Sequence, residues 1–226
     1  MEHPLISVII PTFNTGKYIS EAITSVFAQK YPNIEIIVVD DGSTDNTLEV
    51  LKTFGDTIKV ISQKNTGPAA ARNTGLRNAR GTIVGLLDAD DIWTDDCIES
   101  LLPYALSDEY DFARGITRYF KDENGTRIFT DKLWIEVQMG TALYKKTFLD
   151  KVGPFDETMH YGEDMDWNMR MLDLGGREKR VEKIVLSYRR HDTNMTNDKE
   201  RTKNGLLEAF RKRIDRKKTQ KLHDKQ

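Results

Sequence analysis

The sequence predicts an α/β fold: a mostly parallel central sheet with helices on both faces and a mixed C-terminal extension. Three observations predict it. Short β-branched runs alternate with segments of helical periodicity four times before Asp91. Runs one, two and four each stop at a polar cluster. At 226 residues the chain has the size of one good core with appendages. Such alternation implies right-handed crossovers and a sheet covered on both sides.

The first run, Leu5 to Ile10, is a strand feeding a loop at Pro11. Ile19, Ala22, Ile23, Val26 and Phe27 then recur at the spacing of one helical face. Ile34 to Val39 is a second strand, stopped by Asp40-Asp41-Gly42. Ser43 is expected as the N-cap of the next helix, whose buried side takes Leu48, Val50, Leu51 and Phe54. Ile58 to Ile61 is a third strand, and Pro68 opens an alanine-rich helix over Gly67 to Ala79. Thr82 to Leu87 is the fourth strand, ending in Asp88-Ala-Asp90-Asp91. The second half is less regular: strands are expected at Asp111–Phe120, Arg127–Thr130, Gly140–Tyr144 and Val181–Tyr188, with a helix over Glu163–Leu174.

Composition narrows the function. With 38% hydrophobic and 31% charged residues the chain reads as soluble and globular. A net charge of −2 gives no field to attract nucleic acid. The single cysteine, Cys97, forms no intrachain disulfide and reads as a small apolar residue in a helix. No segment approaches the roughly 20 apolar residues that cross a bilayer, and Leu5–Ile10 is too short for a signal peptide. The expectation is a cytoplasmic protein whose membrane contact, if any, is peripheral.

In open sheets of this kind ligands bind beyond the carboxyl ends of the strands, where the polar clusters fall. Alternation along an extended chain would turn Asp88 and Asp90 toward one cation, and hard divalent ions take carboxylate and substrate phosphate oxygens together. A carboxylate at Asp41 can accept hydrogen bonds from a base imide or a ribose hydroxyl, or can simply close a turn. Arg72, among small residues, offers a planar fork of donors to a base carbonyl or phosphate. Glu163-Asp164-Met165-Asp166 crowds carboxylates at a helix start, where they suit the dipole or serve a proton transfer. His191 can be a neutral-imidazole metal ligand or a solvated loop residue.

Taken together, "SVIIPTFN", "EIIVVDDGSTDNT", "NTGPAAARNTGL", "LLDADD", "KVGPFDETMHYGEDMDWNMRM" and "YRRHDTN" resemble the family-two glycosyltransferases, covering residues 5 to about 195. The resemblance implies a Rossmann-like GT-A fold over residues 1–198 and an inverting, metal-dependent transferase. Asp90 would bind Mg²⁺ or Mn²⁺, completed by His191, and Asp88 would contact the ribose or assist the metal. Pro11 and Phe13 would line the base pocket, with Asp41 and Arg72 reading the base, usually uracil. Asp164 matches the catalytic base, and Trp167 is a candidate for stacking on the acceptor sugar or for the core. The partners implied are a nucleotide-sugar donor and a saccharide or lipid-linked saccharide acceptor.

Residues 199–226 read as a basic helical tail. From Leu206 onward eight lysines and arginines face three acids, Glu208, Asp215 and Asp224, for a net charge of +5. Leu206, Phe210 and Ile214 form a short apolar stripe, a pattern suited to an anionic membrane surface or to a solvated helix. Rival readings are a sugar nucleotidyltransferase, for which no glycine-rich phosphate loop follows the first strand, and an aspartate-nucleophile phosphatase, for which "DADDIW" lacks the threonine. A non-catalytic nucleotide-sugar-binding protein is the third, and such a module would not need the base.

Overall fold

The structure, a computed structural model, describes residues 3–134 and 138–223. Its first half is β1 (Ile6–Thr12), α1 (Ile19–Phe27), β2 (Ile34–Asp40), α2 (Thr47–Lys52), β3 (Lys59–Ser62), α3 (Pro68–Asn78) and β4 (Ile83–Leu86). These strands pair in parallel in the order β3-β2-β1-β4, with Ile9 opposite both Ile37 and Leu86. Period-two alternation splits the apolar residues between the faces. Ile6, Val8 and Ile10 pack with Ile19, Ala22, Ile23 and Val26 of α1 on one side. Ile9, Ile37 and Val39 pack with Ala69 and Ala71 of α3 on the other. Each fully buried isoleucine here contributes about 1.5–3 kcal/mol.

The second half adds β5 (Ile92–Trp93), α4 (Cys97–Leu106), β6 (Phe112–Glu123), β7 (Thr126–Trp134), β8 (Ala142–Lys145), α5 (Lys146–Val152), α6 (Glu163–Asp173), β9 (Glu178–Arg189) and α7 (Lys199–His223). Antiparallel β8 joins β4 to β6, β9 runs parallel to β6, and β5 closes the row antiparallel to β9. The pairing of Ile92 with Ser187 carries the chain leaving β4 across to the end of β9. That register brings Asp88–Asp91 beside Arg189 and His191.

Three local expectations are corrected. Ser43 does not cap a helix: α2 begins at Thr47, and the Ser43 hydroxyl instead accepts from the Asn14 amide. Residues 88–91 are not extended, because the Asp91 amide donates to the Asp88 carbonyl in a tight turn. Trp167 is 0% exposed, stacked on Phe155 at 4.3 Å and edge-on to Tyr144, with its indole N–H on the Gly153 carbonyl. It fills the core under α6 and has no face left for an acceptor sugar. Cys97 opens α4 fully buried, and burial pushes its thiol pKa up.

No helix among the described residues is long and apolar enough to cross a membrane. The helix α7 lies against α6, with Arg213 on Asp173 and Arg216 on Asp166. Asp224 and Lys225, counted in the tail charge, lie outside the described residues.

Candidate functional site

The loops leaving β1 and β2 are laced together. Asn14 sits at φ +54°, and its side-chain oxygen accepts from the Thr44 and Asp45 amides. In return Asp45 and Thr47 accept from the amides of Gly16 and Thr15. Asn is among the few side chains that tolerate this backbone, because it can bond locally. Pro11 ends up half-buried in β1, while Phe13 projects from the loop with 47% of its surface exposed.

Asp41 is buried at the end of β2 and anchors the next turn. Its carboxylate accepts from the Gln63 side chain at 2.7 Å, the Thr66 amide and the Gly67 amide at 2.8 Å. Gly67, at φ +98°, makes the bend that launches α3 with Pro68 in its first turn. A residue with a Cβ would be strained at that φ. The geometry thus gives Asp41 the turn-closing role at the carboxyl end of β2.

Arg72 is the hub. Only 7% exposed, it donates to Asp88 at 2.9 Å and to Glu163 at 2.7 Å, tying α3, the turn after β4 and the start of α6 into one network. Burial works against its charge, but Asp88, Glu163 and Asp164 outweigh that and raise its pKa. Its Nε finds no partner among the described side chains and backbone, so the guanidinium has one donor left over.

The turn after β4 splits its carboxylates. Asp88 goes to Arg72, whereas Asp90 meets His191 Nε2 at 3.0 Å and Asn194 at 3.3 Å. The two therefore do not converge on one point. Asp91 is buried and accepts from the Arg189 amide at 2.9 Å; burial, with Asp90 and Asp88 nearby, pushes its pKa well up. The Arg189 side chain donates to the Asp90 carbonyl at 3.0 Å and pairs with Asp122 and Glu21. Tyr18 covers the imidazole of His191, stacked at 4.6 Å. Tyr18, Arg189 and Asn194 were not singled out from sequence. Nothing in a lone loop tyrosine signals the histidine it covers, although the "YRRHDTN" stretch contains the other two.

Asp164 stands in the first turn of α6, half-buried, with one oxygen accepting from the Met165 amide at 2.7 Å. Burial raises its pKa, Arg72 opposes the rise and Asp88 adds to it. A carboxylate so held is a stronger proton acceptor than one in water.

The donor set fits a divalent cation shared with substrate. Asp90 offers a carboxylate oxygen and His191 an imidazole nitrogen, both partly open to solvent. Imidazole and carboxylate suit Mn²⁺, and phosphate oxygens complete such sites. Among the described residues no group of three or more histidines, cysteines and acids could hold a metal alone.

Comparisons with known proteins identify the family and the fold. The family model described as glycosyl transferase family 2 matches residues 7–171. An uncharacterised glycosyltransferase of Rickettsia typhi is 32% identical over 213 residues, covering 86% of this chain and 66% of that protein. Glycosyltransferase GlyG of Streptococcus pneumoniae is 39% identical over 129 residues, covering 55% of this chain and 43% of its own. The chain thus spans less than two thirds of the length of these curated relatives. Among solved structures, S. aureus TarS in complex with UDP superposes with a TM-score of 0.68 at 25% identity, over 82% of this chain and 60% of that one. A mannosyltransferase of Pyrobaculum calidifontis in complex with GDP-Man and Mn²⁺ gives 0.75 at 23% identity, over 95% and 65%, a likeness of fold. The sheet is that of the GT-A glycosyltransferases, and the chain belongs to glycosyl transferase family 2.

Proposed function

We propose that this chain moves a sugar from a nucleoside-diphosphate sugar to an acceptor hydroxyl, with inversion at the anomeric carbon. The observation that carries the reading is the convergence, at the strand ends, of the Asp90–His191 pair, the Arg72 network and Asp164 with its raised pKa. Pro11 and Phe13 flank the base, with Asp41 holding the turn beside it. A uridine diphosphate donor is supported by the likeness to TarS in complex with UDP.

Asp90 and His191 would hold Mg²⁺ or Mn²⁺, and the bound ion supplies positive charge where the departing diphosphate becomes negative. Asp88 would face the ribose side, held in place by its ion pair with Arg72. Asp164 takes the acceptor proton. As it does, the acceptor oxygen bonds to the anomeric carbon and the bond from that carbon to the phosphate oxygen breaks. Attack and departure on opposite faces invert the configuration. The acceptor is proposed to be a saccharide or a lipid-linked saccharide.

The exposed face of α7 carries Leu206, Leu207, Phe210 and Ile214 beside Lys203, Arg211 and Lys218. Peripheral contact with an anionic membrane at its cytoplasmic face is proposed for that face, where a lipid-linked acceptor would lie.

The test is calorimetric titration of a panel of nucleotide-sugars with Mn²⁺ and then with chelator, followed by transfer assays on the donor that binds. Metal-dependent binding of one donor, abolished in Asp90→Ala, supports the reading. Absence of binding to every donor under both conditions overturns it.

A further inference from the structure

The helix carrying Asp164 starts at a point where two backbones touch. Gly162, at φ +77°, immediately precedes Glu163 and Asp164, and a methyl group built on it would lie 2.7 Å from the carbonyl carbon and oxygen of Gly205 in α7. The converse holds: a methyl on Gly205 would lie 2.4 Å from the Tyr161 carbonyl oxygen and 2.6 Å from its carbon. Real Cβ atoms do not approach backbone so closely, so both positions require glycine unless one segment moves.

The contact continues down one face of α7 at helical spacing. Ala209 is fully buried against Met159 and Met169. Lys212 donates to Asp156 at 2.6 Å, and Arg216 meets the buried Asp166 of α6 at 2.7 Å. The same loop touches α3, since His160 lies 3.3 Å from a methyl built on Gly67. Residues 156–162 are thus held between α7 on one side and the Asp41-anchored turn on the other.

We propose that α7 is a brace for the proposed base, and that Gly205 is a positioning residue setting the placement of Asp164. This rests on the transferase reading above. An alanine at Gly205 must push the 161–162 backbone away, and Asp164, two residues on, moves with it. The Asp90–His191 pair, tied to Thr193 and Asn194 rather than to the start of α6, is left where it was. Proton transfer tolerates little displacement, so the loss falls on turnover rather than on nucleotide binding.

The experiment compares the parent, Gly205→Ala, Asp164→Asn and the double variant, with Asn204→Ala as an exposed control on the same helix. The readouts are kcat for transfer and Kd for the nucleoside diphosphate with Mn²⁺. Expected are a tenfold or greater fall in kcat for Gly205→Ala and nucleotide Kd within twofold of parental. The double variant should be no slower than Asp164→Asn, because both act through one group. Parental kcat in Gly205→Ala, or losses that multiply in the double variant, overturns the brace. Parental kcat in Asp164→Asn instead overturns the assignment of the base, a separate result. If Gly205→Ala does not fold, Arg216→Met carries the test: a threefold or greater fall in kcat at unchanged nucleotide Kd supports the brace, and parental kcat overturns it.

Discussion

The imidazole of His191 lies against the ring of Tyr18, their centroids 4.6 Å apart and their planes 25° apart, while its Nε2 points at Asp90 from 3.0 Å. One face of the histidine is therefore fixed by a residue from the loop after β1. Its Nδ1 is taken by the Thr193 hydroxyl at 2.8 Å, so both rotation and flip of the ring are restrained. Partners that orient a ligating histidine are commonly worth about 10–100-fold in metal affinity. Tyr18→Leu is expected to weaken Mn²⁺ binding in the presence of nucleoside diphosphate by about tenfold. Electron paramagnetic resonance of free Mn²⁺ measures it, and parental affinity would show that stacking does not orient the ring.

Replacing Asp164 by asparagine is expected to lower transfer by about 10²–10⁴-fold while leaving nucleotide binding intact. Burial raises the pKa of this carboxylate, and a base must be ionised to act. Activity should therefore be full above the raised pKa and fall as pH drops through it. The acid limb should lie above the ordinary aspartate value of about 3.9. A limb at or below that value in a profile of kcat against pH would contradict the assignment.

Arg72 and Glu163 form a buried pair, each side chain 8% exposed. Removing one partner strands the other charge, so Arg72→Met should cost about 3–5 kcal/mol in urea unfolding. Glu163→Gln keeps an acceptor for the guanidinium and should cost about 1–3 kcal/mol. No loss in Glu163→Gln beside a full loss in Arg72→Met would mean that Asp88, not Glu163, anchors the arginine.

Gly75 is buried where α3 crosses β1, and a methyl there would meet Ile9 Cγ2 at 2.2 Å. Gly75→Ala should destabilise the protein by about 1–3 kcal/mol through overpacking. An unchanged denaturation midpoint would show that Ile9 has room to turn aside.

On α7, Phe210→Ser with Ile214→Ser removes exposed apolar area without touching the Arg213 and Arg216 bridges. Sedimentation with vesicles containing anionic lipid should fall several-fold for this variant. Equal sedimentation of parent and variant would remove the membrane role.

Much of the sheet was legible because strands one, two and four are apolar runs with a polar stop. The helix at Ile19–Phe27 was legible because its face repeats cleanly. What stayed hidden depended on long-range register. Two residues, Ile92 and Trp93, are too few to show a period, and they become a strand only because β9 lies beside them. Ser43 satisfied the local rule for a cap, but Asn14, 29 positions earlier, claimed it first. Trp167 sat next to a carboxylate cluster in sequence, yet one turn further along α6 it is buried against Phe155 and Tyr144. The clusters around Asp41, Arg72, Asp88, Asp90, Asp164 and His191 were each visible. Their division into an Arg72 network and a separate Asp90–His191 pair was not, because an extended reading of Asp88–Asp91 misses the turn.

The lacing of Asn14 to Thr44 and Asp45, returned by Asp45 and Thr47 to Gly16 and Thr15, makes residues 13–18 and 43–47 a single inheritable unit. A graft that swaps one loop from a relative would orphan several amide donors at once, whereas a graft of both carries its own partners along. In a library built on this scaffold the two loops are therefore expected to be exchanged as a pair.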